Sequence, residues 1–135
     1  MLYTDIRTAF ETALYNLDNT FPTAWENVAF TQADNVAHQE ARLVFNAPLN
    51  PTLPRGHRRE RGEFLVFLNY PSGGATSVIY NKAESIANIF TRGTTLVQGI
   101  NIIQILESPH VGNAVLNNDR YILAIRVPFS CDVFE

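Results

Sequence analysis

Residues 55–61 read Arg-Gly-His-Arg-Arg-Glu-Arg and hold four of the chain's nine arginines; Lys82 is its single lysine. Guanidinium groups at this density suit phosphates or carboxylates, which they grip in a planar two-pronged geometry. Three uses fit the stretch: a solvated loop, contact with DNA phosphates, or contact with carboxylates of a neighbouring subunit or another protein. Arginine is enriched at protein interfaces and lysine depleted, so protein contact is favoured, with Arg55, His57, Arg58, Arg59 and Arg61 as contacting residues. On a loop, reversing the charge of Arg58 and Arg59 should weaken such a contact and leave the fold intact. The stretch holds no aromatic residue, so stacking on single-stranded bases has no support. The lone tryptophan, Trp25, is the second candidate, either packing at the core margin or anchoring an interface.

Other chemistries find less. His38, His57 and His110 have no spacing that favours a metal, and Cys131 has no partner cysteine. No metal site is expected. Asp132 beside Cys131 opposes thiolate formation, and no serine occupies a glycine-flanked elbow, so no catalytic residue is assigned. Residues 71–77, Pro-Ser-Gly-Gly-Ala-Thr-Ser, join a strand to a helix, where backbone amides can hold a phosphate. The Lys-Ser/Thr pair of a nucleotide loop and the three-glycine dinucleotide spacing are both missing. A small ligand-binding protein or enzyme using that turn is the alternative from a different class, and no cofactor is expected.

The rest of the chain has to position these residues. At 135 residues and 15.2 kDa it has the size of one domain and buries roughly two thirds of its unfolded surface. With 46% hydrophobic and 17% charged residues it is a globular chain, and its apolar runs fall well short of the roughly 20 residues of a membrane span. A net charge of -3 argues against a surface given over to nucleic acid. A single cysteine fits a reducing compartment, and the first residues carry no secretory signal pattern.

Leu2, Ile6, Phe10, Leu14 and Leu17 make one stripe of a helix ending near Asp18, with Thr4 or Asp5 as its cap. Residues 23–30 and 38–47 alternate as strands. Residues 48–61 carry Pro48, Pro51, Pro54 and Gly56 and read as a long loop, because proline cannot donate to a ladder. Residues 63–70 are apolar on both faces and read as a central strand covered on both sides. A second helix spans about 75–90, with Gly93 as a left-handed cap. Residues 94–97 and 100–106 form a hairpin at Gln98-Gly99, residues 108–119 a polar loop, and residues 121–130 a last strand. The order predicts an α+β two-layer sandwich, a mostly antiparallel sheet with two helices packed on one face.

Taken in order, Tyr3-Thr4-Asp5-Ile6-Arg7, the segment Trp25-Glu26-Asn27-Val28-Ala29-Phe30, the arginine-rich stretch, Tyr70-Pro71-Ser72-Gly73-Gly74, Phe90-Thr91-Arg92-Gly93-Thr94 and the closing strand 121–129 form a set. The whole chain resembles the tail-terminator-like proteins of long-tailed bacteriophages. The resemblance implies a virion structural protein, not an enzyme. It would assemble in the host cytoplasm as a homohexameric ring on the head-proximal end of the tail tube, stop the major tail tube protein polymerising, and offer a surface to the head–tail connector. DNA would be only passing cargo, and no membrane is involved. The resemblance places the arginine stretch at a subunit or tube contact; Glu11 and Asp18, acidic residues without an obvious partner in their own helix, are possible targets on the next subunit. A neck or head-completion connector protein is the nearest alternative.

Overall fold

The computed structural model describes residues 2–31, 35–49, 56–74 and 76–134. In chain order the elements are α1 (Leu2–Leu17), β1 (Thr23–Ala24), β2 (His38–Phe45), β3 (His57–Pro71), α2 (Thr76–Ile89), β4 (Thr95–Gln98), β5 (Asn101–Ile105), β6 (His110–Val111), β7 (Val115–Asn117) and β8 (Arg120–Phe134). The strands form one curled sheet in the order β1-β2-β3-β8-β5-β4, with β6 and β7 also on β8. Its pairings are antiparallel except β1 with β2, which is parallel. The α+β class and the mostly antiparallel sheet follow the sequence pattern.

The backbone of the sheet is the β3–β8 ladder, in register from His57 opposite Phe134 to Pro71 opposite Arg120. Fifteen residues at strand rise make it about 50 Å long. Alternation puts Phe64, Val66 and Leu68 of β3 on one face with Leu123, Ile125, Val127 and Phe129 of β8, and these join Ile6, Phe10 and Leu14 of α1 and Ile79, Ala83 and Ile86 of α2 in a single buried cluster. Phe10 stacks on Phe64 at 4.8 Å and lies 5.0 Å from Phe129 and 5.6 Å from Phe90. Leu65 and Phe67, on the opposite face, are only half-buried. The strand is therefore central, as expected, but not covered on both sides.

Helix α1 is fastened to elements at both ends of the strand order. Asn101 Nδ2 donates to Asp5 Oδ2 at 2.8 Å beside the β4–β5 turn. Arg7 Nη1 donates to Glu26 Oε1 at 2.9 Å, and the same carboxylate oxygen accepts from the Leu43 backbone amide of β2. The helix begins at Leu2, so Thr4 and Asp5 lie within its first turn instead of capping it. Helix α2 matches expectation, but Gly93 does not cap it: the helix ends at Ile89, and Gly93, left-handed at φ +89°, lies in the Thr91–Thr94 turn with its amide donating to the Ile105 carbonyl of β5.

Three expectations need correction. The strand at 23–30 ends after two residues, because Asn27 turns into the left-handed region at φ 58° and Glu26 bonds to α1 and β2. The loop at 48–61 is shorter than its prolines suggest: β3 starts at His57, and Leu49 and Arg59 exchange two backbone hydrogen bonds at 2.9 and 2.7 Å. Residues 50–55 lie outside the described residues. The polar stretch at 108–119 contributes β6 and β7, and the last strand runs to Phe134.

Candidate contact surface

Because His57–Arg61 is strand, its side chains alternate between faces, and the two faces do different work. On the core side Glu60 is 2% exposed. Arg58 Nε donates to Glu60 Oε1 at 2.9 Å and the Tyr3 hydroxyl donates to the same oxygen at 3.0 Å. That hydrogen bond is the main reason the Tyr3 phenol is held above its ordinary pKa. A buried carboxylate is tolerated only when it is paired in this way.

On the outward side Arg59 Nε donates to Asp132 Oδ1 at 2.8 Å, and His57 Nε2 lies 3.0 Å from the same oxygen. The His57 ring stacks on Phe134 at 4.8 Å, and Arg61 Nε donates to the Ala47 carbonyl at 3.2 Å. The structure thus brings Arg58, Arg59 and His57 to acidic partners within the chain, and the described part of the stretch, residues 56–61, is not a free positive patch. Arg55 lies outside the described residues. The suggested acidic targets are engaged as well: Glu11 lies 3.8 Å from Arg7, and Asp18 accepts from Lys82 at 3.2 Å.

The Arg59 hydrogen bond, with help from His57, holds the Asp132 carboxyl below the usual carboxylate range against an opposing effect of burial. A depressed carboxyl contributes stability above its unfolded pKa of about 3.9 that disappears as pH falls through the lower folded value. Asp132→Asn should therefore be less stable than the natural chain at pH 7, and the gap should close as pH is lowered from 5 to 2. Urea unfolding across that range measures it; a gap independent of pH would refute the pairing.

Trp25 sits just after β1, half-buried and packed against the core margin. With Glu11, Thr12, Tyr15 and Val28 it lines an open hollow of about 350 Å³. Tyr15 and Val28 are exposed. Sequence reasoning missed Glu60, Asp132 and Glu26, whose roles depend on which strands are neighbours.

The remaining chemical candidates are separate from one another. His38 is buried on β2, its Nδ1 has no hydrogen-bond partner among the described residues, and burial followed by the charge of Arg120 pushes its pKa down. Cys131 is fully buried, and burial pushes its thiol up. Among the described residues no cluster of three or more His, Cys, Asp or Glu could hold a metal. The hollow at the 71–77 turn, of about 170 Å³, is lined by Tyr70, Pro71, Ser72, Gly74, Thr76, Val78, Ile79 and Tyr121, none of them charged. No helix among the described residues is long and apolar enough to cross a membrane.

The class so defined is a small α+β chain in which His57, Arg58 and Arg59 pair with carboxylates of its own sheet. The profile of the phage tail terminator protein family matches residues 5–129, and the chain belongs to that family. Its role is accordingly a structural one in the phage tail, with the virion as its setting. Among solved structures, one chain at 20% identity covers 98% of this chain with 97% of its own length and a TM-score of 0.82, a likeness of fold. No curated protein sequence matches.

Proposed function

We propose that copies of this chain close into a ring on the head-proximal end of the tail tube, where they end tube growth and present the surface that the head connector joins. Membership of the tail terminator family over nearly the whole chain carries this reading. The helices form one layer and the curled sheet the other, leaving the outer sheet face to neighbours. That face carries Val44 and the half-buried Leu65 and Phe67 among the ion pairs Arg42–Glu40 and Arg126–Glu63; of these, the phenylalanine and the two arginines are residue types enriched at protein contacts. Arg55, His57, Arg59, Arg61 and Trp25 belong to subunit or tube contacts in this reading, while Arg58 serves the fold. Six copies, the tube protein, the connector and DNA passing through the lumen complete the assembly.

Adding the purified chain to polymerising tail tube protein tests it. The expected result is shorter tubes whose ends carry a ring in electron micrographs. Tubes of unchanged length and bare ends, or binding to the connector alone, would overturn it.

A further inference from the structure

The β4–β5 hairpin is the free end of the sheet opposite β1. Sheet edges are normally protected by charges, prolines or bulges, yet residues 93–106 contain no charged residue and no proline. Val97 and Ile102, a cross-strand pair, are 65% and 51% exposed, and Ile100 at the turn is 96% exposed. The turn is held firmly: Gly99 has φ +62°, a Cβ there would lie 3.2 Å from Asp5 Oδ2, and Asn101 bonds the same carboxylate. This is a preorganised apolar knob, which loses little freedom on binding. Beside β1, at the other end of the strand order, Tyr15, Trp25 and Val28 frame the hollow described above.

We infer that the β4–β5 knob of one copy seats in the Trp25 hollow of the next, an inference that rests on the ring reading. A protruding patch and a concave one on opposite ends of one sheet make a head-to-tail contact, the type that generates rings when the rotation closes. Charge points to a second copy as the occupant. Chains of net charge -3 repel one another, and an uncharged segment is where they meet without setting like charges together. Area points the same way. Three exposed side chains on the knob, and Tyr15 and Val28 with the half-buried Trp25 at the hollow, fall short of the about 800 Å² per partner of a standard interface, so one contact is weak, and closure, in which every copy uses both patches, supplies the stability.

The test uses the full chain carrying Val28→Cys and Ile100→Cys, both at exposed positions; Cys131 is fully buried. Under conditions where light scattering shows rings, with or without tail tubes, a short bis-maleimide should give a covalent ladder ending at the ring. Each single-cysteine variant should give none. Rings without a ladder, dimers from Ile100→Cys alone, or capture of the tube protein by that cysteine would overturn this contact and leave the ring reading standing. A chain monomeric at every concentration and on tubes would overturn both. As a second measurement, Ile100→Asp should raise the half-assembly concentration at least tenfold with an unchanged melting temperature; an unchanged half-assembly concentration would refute the seat.

Discussion

Arg58→Glu lowers the stability of the chain by about 3–5 kcal/mol, the cost of breaking a buried ion pair by removing one partner. The guanidinium of Arg58 is the cation that hydrogen-bonds the nearly inaccessible Glu60, with the Tyr3 hydroxyl as the other donor to that oxygen. Reversing its sign sets two carboxylates on the same face of β3 beside the first helix, with one of them out of water. Arg61→Glu, whose partner is an exposed backbone carbonyl, should change stability by no more than about 1 kcal/mol. Replacing Arg58 and Glu60 together by leucine should recover most of the loss, because a well-packed apolar pair matches a buried ionic one. Urea midpoints of the four chains decide it; an Arg58→Glu midpoint near that of Arg61→Glu would show that Glu60 needs no cation. The expectation that this charge can be reversed without disturbing the fold suits a loop and does not suit this strand.

Gly62→Ala is the second substitution with a large expected effect. Gly62 lies between Phe45 of β2 and Phe129 of β8, and an added Cβ would stand 3.1 Å from the Phe129 ring and from the Phe45 backbone, and closer still to the Val44 carbonyl oxygen. Backbone cannot swing aside as a long side chain can, so β2 must shift against β3. The cost should reach the upper end of the about 1–3 kcal/mol seen for overpacked cores. Gly74→Ala, where the new atom meets nothing nearer than a carbonyl at 4.0 Å, serves as the control and should stay within about 0.5 kcal/mol. Thermal unfolding of both chains measures the difference; equal melting temperatures would refute the crowding.

Elements whose burial follows hydrophobic period were legible in the sequence. The stripe Ile6, Phe10, Leu14 and the stripe Ile79, Ala83, Ile86 both face the core, and the turn at Gly99 closes the hairpin its residues announce. The start of β3 was not legible, because its core-facing residues are Arg58, Glu60 and Gly62. A period-two reading looks for apolar groups and finds a charged run instead; only the neighbouring Tyr3 and the Arg58 pair make burial of Glu60 acceptable. Asn27 hid in the same way, since its alternating neighbours fit a strand until the backbone turns left-handed. At the contact surface the density of arginine was visible, but its neutralisation was not. Asp132 sits 73 residues from Arg59, and only the register of β3 on β8 sets them side by side.

The position of β8 bears on how the chain is made. It is last in chain order, yet it pairs with β3, β5, β6 and β7. While the polypeptide is emerging from the ribosome, each of those strands waits with an unfilled edge until β8 arrives, and distant pairings of this kind close slowly. The nascent protein is thus open to aggregation at those edges until Arg120–Phe134 has been made and has left the ribosome.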